Sequence, residues 1–148
     1  MKFLYFLIIL SALSGNLFAQ GYNLGHTLLS FTDTERVKRV IPVEIYYPAD
    51  ISGDNVPLAS SGSSKYPVLC FGHGYLMSWD SYSYLRDALV KNGYIIAFPK
   101  TAGELFPSHS DMAKDIVYIL KRISEYGNDS GSIFFRRVLK ISTSISRI

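Results

Sequence analysis

The sequence is short of the residues that build disulfides and metal sites, with one cysteine and three histidines in 148 residues. A single cysteine, Cys70, excludes a disulfide within the chain. Because Cys70 lies in an apolar run, we expect a buried, inert thiol and not a nucleophile. His26, His73 and His109 are far apart and have no carboxylate or cysteine partners at ligand spacing. The sequence therefore predicts no metal and no cofactor.

An excess of charge of one sign is also missing. Lysine and arginine number 15 and aspartate and glutamate 12, a formal net charge of +3. This small excess is not the signature of a protein that binds polyanions, so nucleic acid is not a predicted partner. Apolar residues make up 48% of the chain and aromatic residues 14%, proportions that exclude a disordered chain.

Only the N-terminus carries a long apolar run, from Phe3 to Leu13 after the positive Lys2. The run is shorter than the roughly 20 residues that cross a bilayer. A positive start, an apolar core and a small residue at Ala19 are typical of a secretory signal. We predict a signal peptide over 1–19, a single domain over 20–148, a secreted or periplasmic location and no stable membrane span after cleavage. An uncleaved N-terminal anchor is the alternative.

Strand patterns occur at four places. Val37 to Tyr47 alternates with a period of two and predicts a strand that Pro48 ends, while Gly21 to Ser30 has weaker strand character. Tyr66–Phe71 and Tyr94–Pro99 are continuous apolar runs, which are typical of strands covered on both faces of a parallel sheet.

Two helices follow from apolar residues at helical spacing. One runs from Ser78 or Asp80 to about Asn92, and the other runs from Ser108 or Ser110 to Gly127. The order strand, strand, strand, helix, strand, helix predicts an α/β chain with a mostly parallel sheet and flanking helices.

The most informative segment for function is Cys70-Phe71-Gly72-His73-Gly74-Tyr75, which directly follows a predicted strand. The backbone N–H groups of a turn at the carboxyl end of a parallel strand face a crevice. Gly72 and Gly74 allow a ligand oxygen to approach that backbone because they have no Cβ. Such N–H groups can stabilise the oxyanion of an acyl-transfer intermediate, and one donor is worth roughly 2.7–4 kcal/mol. The alternative is a plain strand-to-helix turn that needs glycine for its geometry.

Four segments resemble, in order, successive parts of exported α/β-hydrolases such as dienelactone hydrolases, platelet-activating-factor acetylhydrolases, chlorophyllases and bacterial polyesterases. These segments are Ile41–Ala49, Tyr66–Tyr75, Leu85–Pro99 and Asp111–Ile123. The resemblance implies hydrolysis of a small-molecule or lipid-like carboxylic ester. It also implies that the backbone N–H of Tyr75 forms half of the oxyanion hole, in a loop made by Gly72, His73 and Gly74.

The nucleophile of that family is missing, because no Gly-x-Ser-x-Gly occurs in the chain. The segment Gly127–Gly131 is the nearest imitation, but its serine is one residue out of place for that motif. It predicts a helix stop and a turn. The family places its serine, aspartate and histidine later in the chain. We therefore expect an incomplete α/β-hydrolase fold, truncated before the nucleophile strand, with no catalytic residue and no activity as given.

Two partner predictions follow from this interpretation. A missing neighbour strand would leave an exposed edge beside Tyr66–Phe71, through which the chain could self-associate. The alternative function is a non-catalytic exported binding module on a reduced α/β-hydrolase scaffold, with a partner paired along that edge.

Overall fold

One five-stranded sheet carries two α-helices in the computed structural model, which describes residues 21–60, 65–72, 77–101 and 108–139. The strands are β1 (Asn23–Asp33), β2 (Arg39–Ala49), β3 (Gly53–Asp54), β4 (Val68–Cys70) and β5 (Ile95–Pro99). The helices are α1 (Ser83–Lys91), which a short 3₁₀ helix (Trp79–Tyr82) precedes, and α2 (His109–Tyr126). The predicted signal peptide lies outside the described residues. Within the described ranges, no helix has the length and apolar character needed to span a bilayer.

The sheet is mixed, with strand order β3-β1-β2-β5-β4. β2 is antiparallel to both of its neighbours, β1 and β5. The parallel pairs are β4 with β5 and the two-residue contact of β3 with β1. The predicted α/β fold class, an incomplete α/β-hydrolase fold with a mostly parallel sheet and flanking helices, is therefore wrong.

The short connection between β1 and β2 explains this error. Five residues, 34–38, join the two strands, and so short a link admits only an antiparallel pair. The segment predicted as a weak strand is an eleven-residue strand that pairs with β2 along its whole length, from Asn23↔Ala49 to Asp33↔Arg39. Pro48 lies inside β2, opposite Leu24, and does not end the strand as predicted.

Both faces of the sheet are packed. On one face, alternate residues of β2 meet α2 and a segment after it; the fully buried side chains there include Ile41, Val43, Ile45, Tyr47, Ile119, Ile123 and Phe134. On the opposite face, Tyr46, Ile96 and Phe98 pack with Val90 of α1. This two-sided burial explains why β5 has no exposed residue.

The predicted start of α2 is confirmed. Ser108 is its N-cap, and the Ser108 side chain accepts a hydrogen bond from the backbone N–H of Asp111 at 3.2 Å. The helix ends at Tyr126, directly before the predicted stop at Gly127. The predicted α1 begins later than expected, because Trp79–Tyr82 forms the 3₁₀ turn and Ser78 makes no side-chain cap.

β4, α1 and β5 form the parallel unit that positions the candidate site. β4 pairs with β5 in register Val68↔Ile95 to Cys70↔Ala97, and α1 lies between the two strands in the chain. On the other side of β4, Tyr66 forms an isolated parallel bridge with Val138. The residues 71–78, which contain the predicted oxyanion loop, therefore leave the carboxyl end of β4 and lead to α1.

Candidate functional site

Phe71 and Gly72 are the described residues directly after β4, and Phe71 is held in place by β5 and by aromatic packing. The backbone N–H of Phe71 donates to the carbonyl of Ala97 at 2.9 Å, which extends the pairing with β5 by one residue. The Phe71 ring packs against Tyr82, with ring centroids 4.8 Å apart, and against Phe98 at 5.8 Å. His73, Gly74 and the predicted donor Tyr75 lie outside the described residues. Gly72 is the one member of the predicted oxyanion loop whose surroundings are described.

Gly72 lies against α2. A Cβ at this position would be 3.2 Å from Cδ1 of Ile116, which is tighter than an ordinary van der Waals contact. Glycine therefore allows the turn after β4 to pack closely on α2. This packing supports the alternative that glycine at position 72 is needed for geometry. The prediction that Gly74 and Tyr75 belong to an oxyanion loop stays a prediction.

Cys70 ends β4 beside this turn and is half-buried, because β4 lies at an edge of the sheet. Burial of the thiol raises its pKa to about 12, and the negative charge of Asp115 acts in the same direction. The thiol therefore stays protonated near neutral pH. Cys70 is thus less buried than predicted, and its raised pKa disfavours the thiolate form that a nucleophile needs.

A row of four titratable side chains, Asp54, His26, Glu44 and Lys100, crosses the sheet on the α1 side; we call it the charged row. His26 Nδ1 lies 2.6 Å from Asp54 Oδ1, and His26 Nε2 lies 2.7 Å from Glu44 Oε2. Lys100 Nζ donates to the other oxygen of Glu44 at 2.8 Å. The row therefore links three strands, β3, β1 and β2, to the residue that follows β5.

Glu44 is the buried centre of the charged row, with 7% of its side chain exposed. Burial raises the pKa of Glu44, but the hydrogen bonds from Lys100 and His26 outweigh burial and leave the pKa below its ordinary value. The carboxylate is therefore charged at neutral pH. The sequence signal was the lone acid among the apolar residues 41–47, which the sequence analysis did not use.

Asp115 is the centre of a second cluster, on the opposite face, and its side chain is 0% exposed. Arg39 donates from Nε to Oδ1 at 3.0 Å and from Nη2 to Oδ2 at 2.9 Å. Thr101 Oγ1 donates to Oδ2 at 2.8 Å. Arg36 Nη2 lies 2.8 Å from Oδ1 as an ion pair, although its direction does not meet hydrogen-bond geometry.

The Asp115 cluster fixes α2 beside the carboxyl end of β5. Burial raises the pKa of Asp115, but the hydrogen bonds from Arg39 and Thr101, together with the charge of Arg36, outweigh burial and lower the pKa overall. Thr101 lies just after β5 in the chain. Ile116, which follows Asp115 in α2, is the residue that contacts Gly72. The cluster therefore holds the helix against which Gly72 packs. Asp115 falls on the apolar stripe of α2, and an acid on such a stripe is the signal that could have indicated it.

The remaining sequence predictions concern the two ends of α2 and metal binding. His109 is the first residue of α2 and is exposed. Gly127–Gly131 forms a turn after α2, which confirms the predicted helix stop. Among the described residues, no three histidine, cysteine or acidic side chains are placed to hold a metal ion.

No protein-family model matches the chain, and no curated protein matches it in a sequence search.

Proposed function

We propose that this chain supplies the oxyanion-loop half of a secreted serine hydrolase that acts on carboxylic esters, related to the exported α/β-hydrolases. The observation that carries the proposal is the parallel β4–α1–β5 unit with Gly72 at the carboxyl end of β4. In hydrolases of that kind, one oxyanion donor is a backbone N–H in the loop between a strand and the following helix. The segment Gly72–Tyr75 occupies that position in the chain.

The packing of Phe71 and Gly72 against two elements, β5 and α2, supports the proposal. β5 is fully buried, and its Ala97 carbonyl accepts a hydrogen bond from the N–H of Phe71, directly before Gly72. α2 contacts Gly72 through Ile116 and is tied to β2 and to Thr101 by Asp115. A functional loop needs such support, because a donor displaced by about an ångström loses much of its effect on a transition state.

The path of the chain after α2 is a second source of support. The Tyr66 N–H donates to the carbonyl of Arg137 at 2.8 Å, and the Leu139 N–H donates to the carbonyl of Tyr66 at 3.0 Å. The chain at 137–139 therefore begins to run parallel to β4, on the side away from β5. In the proposal, the segment that follows leads towards the nucleophile, which such enzymes place in a turn after a parallel strand.

The chain contains no Gly-x-Ser-x-Gly, so the proposal assigns the nucleophile and its aspartate and histidine partners to polypeptide outside these 148 residues. The second oxyanion donor, from the residue after the nucleophile, would lie there as well. The proposal therefore expects no ester hydrolysis from the 148-residue chain alone.

The nucleotide sequence that follows the codon for Ile148 gives the direct test. The proposal expects an apolar segment and then Gly-x-Ser-x-Gly in one of the three frames. The joined product should react with a fluorophosphonate probe, which labels activated serines, while the 148-residue chain serves as the unlabelled control. Absence of the motif in all three frames would overturn the proposal and favour the non-catalytic binding module.

A further inference from the structure

The imidazole of His26 bridges two carboxylates that belong to different strands. Its Nδ1 lies 2.6 Å from Asp54 Oδ1 of β3, and its Nε2 lies 2.7 Å from Glu44 Oε2 of β2. The ring also stacks on Tyr46, with centroids 4.6 Å apart and planes inclined by 28°. The stacking on Tyr46 and the contacts at both ring nitrogens fix the orientation of the imidazole.

The two carboxylate contacts cannot both be hydrogen bonds when the ring is neutral. A neutral imidazole carries one N–H and one lone pair, whereas the protonated ring carries two N–H groups. Loss of the proton therefore places a nitrogen lone pair against one of the two carboxylates. Histidine is the side chain that most often changes its charge near neutral pH.

Burial decides which of the two contacts is lost. The Glu44 side chain is 7% exposed, whereas the Asp54 side chain is 78% exposed. A buried carboxylate that loses a donor pays more in solvation than an exposed one, which can return to water. The neutral ring should therefore keep its proton on Nε2, facing Glu44, and turn its lone pair towards Asp54.

The Asp54 contact is the ion pair of β3, while hydrogen bonds hold the chain on either side: Leu24 N–H donates to Ser52 Oγ at 3.4 Å and Tyr47 OH donates to the carbonyl of Val56 at 2.8 Å. The strand has two residues, paired with Gly25 and His26 of β1. The Asn55 N–H donates to the carbonyl of His26 at 2.7 Å, and Thr27 Oγ1 donates to Asn55 Oδ1 at 2.7 Å. Weakening of the Asp54 contact should therefore loosen β3 and Asn55 while the long β1–β2 pair stays intact.

We propose that His26 is a pH-sensitive clamp that fastens β3 to the sheet when it is protonated and loosens β3 when it is neutral. The titratable and charged groups around the ring come from three elements and from the residue after β5. They are Asp54 of β3, Glu44 and Tyr46 of β2, Lys100 after β5, and Arg86 of α1, whose guanidinium lies 4.8 Å from the centre of the Tyr46 ring. Lys100 remains on Glu44 in both states, so the buried acid keeps one donor throughout.

Nuclear magnetic resonance on the full chain tests the clamp. The ring signals of His26 report its protonation, and the exchange of the Asn55 amide, corrected for the intrinsic effect of pH, reports the attachment of β3. We expect the protection of Asn55 to fall about two- to fivefold as His26 loses its proton, the range that an exposed ion pair supports. The amide of Val43, in the middle of β2, should show no such change.

Two variants separate the clamp from a general effect of pH. In Asp54→Asn the amide can donate to the neutral ring or accept from the protonated one, so the pH dependence of Asn55 protection should vanish. Asp129→Asn, a matched change at an exposed acid in the turn after α2, should retain it. If Asp54→Asn does not fold, His26→Gln provides the same loss of pH dependence. Protection that does not follow His26 protonation, or that follows it equally in both aspartate variants, would overturn the proposal.

Discussion

The sharpest stability prediction concerns Asp115, which is completely buried and meets two arginines. Asp115→Asn keeps the shape of the side chain but removes its charge. Arg39 and Arg36 would then face an amide and not a carboxylate. Removal of one partner from a buried ion pair costs about 3–5 kcal/mol. Because both guanidinium groups are partly exposed and can be solvated, we expect the low end, about 3 kcal/mol.

Urea unfolding at neutral pH measures this loss. The free energy of unfolding should fall by about 3 kcal/mol without a change in the slope against urea, because the exposed surface on unfolding stays the same. Asp87→Asn is the matched control: Asp87 pairs with Arg86 at 2.8 Å on the surface of α1. That variant should lose less than about 1 kcal/mol. Equal, small losses for the two variants would refute the claim that Asp115 anchors α2.

The pH dependence of the same variant checks the sign of the argument. The pKa of Asp115 is lowered from 3.8 in the folded chain because hydrogen bonds outweigh burial. A carboxyl with a lowered pKa contributes stability that is present above its unfolded pKa and is lost as the pH falls through its folded pKa. The native chain should therefore lose stability on acidification below about pH 4, and Asp115→Asn should lose less over the same range. A steeper acid loss in the variant than in the native chain would contradict the assignment.

Two further predictions concern the edge of the sheet and the β1–β2 turn. Tyr66 bonds to the chain at 137 and 139, whereas Phe71 bonds to β5, so the backbone of Val68 and Cys70 faces the outer side of β4. Val68→Pro lacks the outward N–H, so it should sediment as a monomer if this edge drives self-association. Val68→Ala and the native chain should associate at the same concentrations. Equal behaviour of the two variants would rule the edge out. Val37, in the β1–β2 turn, is 99% exposed and has a φ of 49°, a conformation in which a β-branched residue is strained. Val37→Asn should therefore raise the free energy of unfolding in urea by about 1 kcal/mol. An unchanged or lowered free energy would show that the turn is not strained by its side chain.

Sequence patterns predicted the local elements well because those elements depend on neighbouring residues. The period of two in β2, the apolar runs of β4 and β5, and the Ser108 cap each lie within a few residues of the element that they specify. Strand direction is different, since an apolar alternation has no direction. The antiparallel pairing of β2 follows from the short turn at 34–38, which the sequence analysis did not use as a constraint.

The charged clusters could not be predicted because their partners are distant in the sequence. Arg39 and Asp115 are separated by 76 residues, and His26 and Glu44 by 18. No local pattern indicates that such residues meet. A buried stripe that contains an acid, as α2 does at Asp115, indicates that a cation must come from elsewhere, but the stripe alone does not identify Arg39 as that cation.

The backbone N–H of Tyr75 is the group on which the proposed function depends, and two substitutions isolate it. In the product joined to its downstream segment, Tyr75→Pro removes the N–H, whereas Tyr75→Phe keeps the N–H and removes only the hydroxyl. Steady-state hydrolysis of a p-nitrophenyl ester should show kcat reduced about 10²- to 10³-fold by Tyr75→Pro and nearly unchanged by Tyr75→Phe. Similar kcat values for two folded variants would contradict the assignment of the turn after β4 as an oxyanion loop.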